Sequence, residues 1–227
     1  MEQLPLGMRL QDRAVFASFL PGGNGLALAA AQQFSQAQGE SLLYLHGAAG
    51  TGKSHLLQAC CAAMRGAGYF PLLQLRALGP AVLDGAAQLP AVAIDDLDAV
   101  AGDPSWELRL FGLYNECLAS GTRLLVAAGV PATALHISLP DLTSRLAALT
   151  HFALRPLDEP QQREALKLRA AQRGIELPDE TLQYLQRRFA RDMSRLHELL
   201  DRLDLASLQE QRRLTVPFIR EILGRQG

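Results

Sequence analysis

Gly47-Ala48-Ala49-Gly50-Thr51-Gly52-Lys53-Ser54 concentrates the chemistry of this 227-residue chain. The pattern is G-x-x-x-x-G-K-S, a P-loop: glycines let backbone N–H groups point inward around a phosphate, and a helix start adds partial positive charge. Lys53 supplies a full charge and the Ser54 hydroxyl is a magnesium ligand by type. Gly47, Gly50, Thr51, Gly52, Lys53 and Ser54 are therefore the predicted phosphate-binding set. Lys53 stands out by scarcity, since only it and Lys167 are lysines among 22 basic residues.

A P-loop that uses magnesium needs a carboxylate on a neighbouring strand. Asp95 ends an apolar run 41 residues after Ser54, with Asp96 beside it. That spacing suits a metal-shell carboxylate, so Ser54 and Asp95 are the expected magnesium ligands, partly through water. The structural alternative is a strand-end Asp that caps a turn. Hydrolysis also requires a group to align water and a charge to meet the developing γ-phosphate. Asp96 could orient water, although it is one methylene shorter than Glu. Val126-Ala127-Ala128-Gly129, on the next strand, offers no hydroxyl or amide. Slow intrinsic turnover is expected.

These residues need a particular scaffold. Leu42–His46 reads as a buried strand running into the loop, and Lys53–Arg65 as the helix after it. Further strands are predicted at Leu72–Leu75, Ala91–Ile94, Arg123–Ala128 and His151–Leu154, with a helix over Trp106–Leu118 between the third and fourth. After Arg155-Pro156-Leu157-Asp158 only helices follow, over 159–173, 179–189, 192–208 and 217–223. The order implies a parallel α/β core over 14–156, a small helical domain over 157–227 and an extended tail over 1–13.

Composition narrows the class. With 48% apolar and 20% charged residues the chain can fill a core, which excludes wholesale disorder. Basic and acidic residues number 22 and 23, so no net field gathers nucleic acid or an anionic membrane. The longest uncharged stretch, 14–39, carries Pro21, Asn24 and four glutamines, which a bilayer core rejects. Met1-Glu2-Gln3 opens no secretory signal, and three cysteines make no disulfide framework, so a cytoplasmic setting is expected. Five histidines show no ligand spacing, and Trp106, Leu110 and Leu113 read as core.

The P-loop, the acidic strand end and the trailing helices resemble the AAA+ family. Phe16-Ala17-Ser18-Phe19, Pro21-Gly22-Gly23-Asn24, Ile94-Asp95-Asp96, Leu113-Tyr114-Asn115, Asp141-Leu142-Thr143-Ser144-Arg145 and Leu214-Thr215-Val216-Pro217-Phe218 are similar to its DnaA-related branch, and most of all to the regulatory inactivators of the initiator DnaA. The resemblance implies an AAA+ P-loop sheet with a helical lid, ADP or ATP as ligand, and possible homo-oligomers. It assigns Arg145 the part of an arginine finger acting in trans on ATP held by DnaA, the alternative being a surface ion pair. The second sensor arginine aligns with Ser194, Arg195 being one place on, and that role is not carried over. Gln3, Leu4 and Leu6 look like a Gln-Leu-x-Leu peptide for the DNA polymerase sliding clamp (beta subunit), with Met8 in place of its final aromatic. An initiator would continue into a helix-turn-helix domain after the lid, so the stop at Gly227 favours an inhibitor of replication initiation that meets DNA only weakly or indirectly. The alternative is a helicase-loader-like ATPase that spends its own ATP.

Overall fold

A computed structural model describes residues 14–172, 177–188, 199, 203, 206 and 216–224. They form two units: residues 14–19, 24–47 and 52–154 make the first, and residues 20–23, 48–51 and those from 155 onward make the second. Among the described residues no helix is long and apolar enough to cross a membrane.

The first unit is built on five parallel strands, β1 (Leu42–His46), β2 (Gly68–Pro71), β3 (Ala91–Asp95), β4 (Arg123–Ala128) and β5 (Thr150–Ala153), in the order β2-β3-β4-β1-β5. A parallel sheet is covered on both faces, so its central strands read as unbroken apolar runs. Alternate residues divide between two cores. Tyr44, Val92, Ile94, Leu124 and Val126 pack with Trp106, Leu110 and Leu113 of α4 (Pro104–Ser120) and with Leu142 and Leu146 of α5 (Pro140–Ala147). Leu43, Leu45, Ala91, Ala93, Leu125 and Ala127 pack with Ala31 and Phe34 of α1 (Gly25–Ser35) and with Leu56, Leu57 and Cys60 of α2 (Lys53–Ala63).

One strand was misplaced by the sequence reading. Leu72–Leu75 is a helical turn, α3, and β2 lies just before it at Gly68–Pro71. Leu72 and Leu75 are buried while Leu73 is 54% exposed, a three-residue spacing that an extended chain cannot produce. Pro71, lacking an N–H, suits the last position of an edge strand. The Trp106–Leu118 helix is longer than expected because Asp103 caps it, accepting from the N–H groups of Ser105 at 2.9 Å and Trp106 at 3.3 Å, with Pro104 in the first turn.

The second unit contains α6 (Glu159–Gln172), α7 (Asp179–Arg188) and α8 (Val216–Gly224). Leu166, Ala170, Leu182, Leu185, Phe218 and Ile219 form its core with Leu199 and Leu203. A capping box starts α6: Asp158 Oδ1 accepts from Gln161 N at 2.8 Å, and Gln161 Oε1 accepts from Asp158 N at 3.1 Å. Most of the expected 192–208 helix lies outside the described residues, as does the tail over 1–13.

Candidate nucleotide site

β1 delivers the chain to Gly47, whose N–H donates to Ala128 O of β4 at 3.3 Å. The loop then turns through Gly50 and Gly52 at φ +77° and +97°, a region that side chains other than glycine rarely enter. Gly52 is constrained further, because a Cβ there would lie 2.6 Å from Phe19 Cε2. Thr51 is buried, and its hydroxyl donates to Ala48 O at 2.9 Å. Gly52 is the N-cap of α2 and brings no side chain to the first-turn N–H groups, which suits them to an anion. Lys53 Nζ donates to Gly47 O at 2.7 Å. Burial lowers the Lys53 pKa from its ordinary value, and the carboxylates of Asp95, Asp98 and Asp96 oppose that shift. Ser54 is exposed.

The acidic turn closes β3. Asp95 has no accessible surface. Its Oδ2 accepts from Tyr69 OH at 2.7 Å, and its Oδ1 accepts from Asp96 N at 3.0 Å. Gln58 Nε2 of α2 in turn donates to Tyr69 OH at 3.2 Å. Asp96 is half-buried in left-handed backbone at φ +54°, and its pKa is raised to about 6, first by burial and then by Asp95. Magnesium fits one of its two expected ligands: the Ser54 hydroxyl is open, whereas Asp95 shows neither oxygen to solvent.

Asp98, which the sequence reading passed over, accepts from Gly129 N at 2.7 Å. A carboxylate thus stands at the end of β4, where the sequence supplies no polar side chain. It can accept a proton or orient water, but it cannot neutralise a developing negative charge. Three acids in four residues, Asp95, Asp96 and Asp98, were the available signal.

Arg145 is exposed on α5, its Cζ 5.6 Å from the centre of the Tyr114 ring. Among the described residues it has no ion-pair partner. Glu107 was also missed. This fully buried carboxylate of α4 accepts from Gly102 N at 2.8 Å, Ser138 N at 3.0 Å and Leu139 N at 2.9 Å, and so fixes the entry to α5. Its position in the apolar stripe of Trp106, Leu110 and Tyr114 was the clue. His46 and His151, which show no ligand spacing in the sequence, come together beside Tyr44 with ring centres 6.0 Å apart, and burial lowers the His46 pKa. Cys60 and Cys61 are buried α2 thiols, the latter pushed up to about 12 by burial. Gln3, Leu4, Leu6, Ser194 and Arg195 lie outside the described residues.

Two family models match the chain: Hda, lid domain, over residues 158–223, and bacterial DnaA ATPase domain over residues 10–67. Among solved structures, domain III of the Thermotoga maritima replication initiation protein DnaA is 21% identical with a TM-score of 0.77, covering 93% of this chain and 96% of that one. AMPPCP-bound DnaA from Aquifex aeolicus is 21% identical with a TM-score of 0.62, covering 78% of this chain and 61% of that one. A replication initiator DnaA bound to AMPPCP and single-stranded DNA gives 19% identity and a TM-score of 0.63, with 78% of this chain and 60% of that one covered. At these identities the structural likeness establishes the fold.

Proposed function

This chain is a DnaA- and Hda-related AAA+ protein, and from that premise we propose that it restrains initiation of DNA replication by completing the ATP site of DnaA. It holds ADP or ATP on Gly47–Ser54, where Lys53 and the first-turn N–H groups of α2 meet the phosphates. A magnesium ion arriving with the nucleotide would find the Ser54 hydroxyl. Asp96 and Asp98 bring negative charge and no donor, which favours slow turnover of the chain's own nucleotide. That nucleotide then serves chiefly as a bound ligand that stabilises the fold. Gln3, Leu4 and Leu6 dock the protein on the sliding clamp loaded on DNA.

The observation that carries this reading is the posture of Arg145. A guanidinium is always charged and presents a planar fork suited to phosphate oxygens. Here it stands exposed, without an ionic partner among the described residues, and rests on the Tyr114 ring. That exposure supports a role at a site on another protein. Inserted near a γ-phosphate, it would neutralise charge as the bond to the leaving group breaks, a contribution of about 10³-fold or more.

The test is hydrolysis of DnaA-bound ATP in the presence of clamp and DNA. Arg145→Ala should lower the stimulated rate by roughly 10³-fold while nucleotide binding to this chain persists. Gln3→Ala should weaken capture by the clamp and shift the stimulation to higher protein concentration. Undiminished hydrolysis with Arg145→Ala removes the finger from the account. Turnover of the chain's own ATP at about 1 s⁻¹ without DnaA points instead to a self-sufficient ATPase.

A further inference from the structure

Asp95 is placed by a side-chain relay that the P-loop reading does not call for. β2 and β3 run parallel with Tyr69 opposite Ala93 and Pro71 opposite Asp95. Tyr69 therefore projects on the same sheet face as Ala93 and Asp95, and its ring spans the two-residue rise of about 6.6 Å to the carboxylate. Gln58, on the α2 helix that covers this face, holds the phenol from behind through Nε2 at 3.2 Å. The phenol gives its only proton to Asp95 Oδ2, and the backbone N–H of Asp96 takes Oδ1. Both oxygens are thus engaged from inside the unit, on a residue with no accessible surface.

Magnesium demands near-octahedral oxygen ligation and keeps most of its waters. To meet Asp95, either the ion or one of those waters must reach a carboxylate oxygen. Asp95 has no surface open to solvent, and the Tyr69 bond is the side-chain contact that holds Oδ2 inward. Ser54, by contrast, is exposed. The attraction of the loop for phosphate comes from Lys53 and backbone N–H groups, which act with or without a metal.

We propose that Tyr69, backed by Gln58, is a positioning residue that keeps Asp95 as an internal hydrogen-bond acceptor and out of the metal shell, so that this chain retains nucleoside diphosphate with little help from a divalent cation. The inference rests on the nucleotide-binding reading of the P-loop and is independent of the role of Arg145. The role proposed for Tyr69 needs no contact with nucleotide or metal. It acts through Asp95.

The experiment is calorimetric titration of the full chain with ADP, once with magnesium chloride and once with EDTA. The wild-type dissociation constants should agree within about threefold, and Tyr69→Phe, which keeps the ring and frees Oδ2 to turn outward, should raise the magnesium dependence to about tenfold or more. A Tyr69 that mattered only for folding would change both constants alike and leave their ratio untouched. Gln58→Met, which removes the support and leaves the phenol, should give an intermediate ratio. Wild-type affinity that falls tenfold or more in EDTA overturns the proposal, and this measurement stands even where a variant fails to fold. Equal ratios in wild type and Tyr69→Phe overturn it as well. Absence of ADP binding in both media would overturn the nucleotide reading itself, an outcome separable from strong binding that needs magnesium.

Discussion

Glu107 shows how one side chain can organise a surface remote from it in sequence. Its carboxylate is 1% exposed and gathers N–H groups from Gly102, Ser138 and Leu139. The last two belong to the entry of α5, whose N-cap Leu139 offers no side-chain acceptor. Hydrogen bonds to a charged acceptor are the stronger kind, and a buried N–H left without a partner costs about 1–3 kcal/mol. Glu107→Ala strands three such donors and should lose at least about 3 kcal/mol, lowering Tm by roughly 10 °C for a chain of this size. Glu107→Gln keeps one acceptor and should lose less. Thermal unfolding followed by circular dichroism checks both, and a Glu107→Ala protein that melts within about 2 °C of wild type would show that the Glu107 carboxylate does not hold the α5 entry. The consequence for Arg145 is direct, because it lies six residues beyond Leu139 on the helix that Glu107 anchors.

At the level of elements, the P-loop depends on conformations that only glycine adopts cheaply. Gly52 combines φ +97° with a Phe19 ring carbon 2.6 Å from where a Cβ would sit. Gly52→Ala must strain the backbone or displace Phe19, at a cost of order 1–3 kcal/mol, and either response moves the N-terminus of α2 away from its phosphate geometry. ADP affinity should fall by about tenfold or more, measured by calorimetry. Gly25→Ala is the control: nothing lies within 4 Å of its Cβ position at the start of α1, so binding should be unchanged. The same contrast explains what could be read from the chain beforehand. The P-loop and the strands β1, β3, β4 and β5 are written in contiguous residues, through local spacing and apolar runs, and they emerged nearly in place. β2 was misplaced because Leu72-Leu73-Gln74-Leu75 is short and apolar enough to suit either period, and burial of Leu72 and Leu75 decided for a helical turn. The Tyr69–Asp95 and Glu107–Leu139 bonds join residues 26 and 32 apart in sequence, through side chains whose partners only the sheet order and helix packing specify. Local pattern carries no record of them.

Across the whole molecule, 22 basic and 23 acidic residues leave a net charge of −1. Duplex DNA binds proteins largely by exchanging condensed counterions for lysine and arginine contacts, and its salt dependence counts those contacts. A chain with no net field is expected to gather few, and in the proposed scheme protein contacts bring it to DNA-bound partners instead. The clamp peptide at Gln3, Leu4 and Leu6 supplies them in that scheme, and the body needs no DNA surface of its own. Free duplex DNA of about 30 base pairs should therefore bind with a Kd weaker than about 10⁻⁴ M near physiological salt, and the logarithmic salt slope should stay below about 2. Fluorescence anisotropy of a labelled duplex across a salt series measures both. Adding clamp loaded on the same DNA should bring the protein to the duplex at far lower concentration, and Gln3→Ala should cancel that gain. Micromolar affinity for bare duplex with a slope near 6 would mean that arginines cluster on one face strongly enough to override the neutral total. The protein would then reach DnaA by following DNA rather than by riding the clamp.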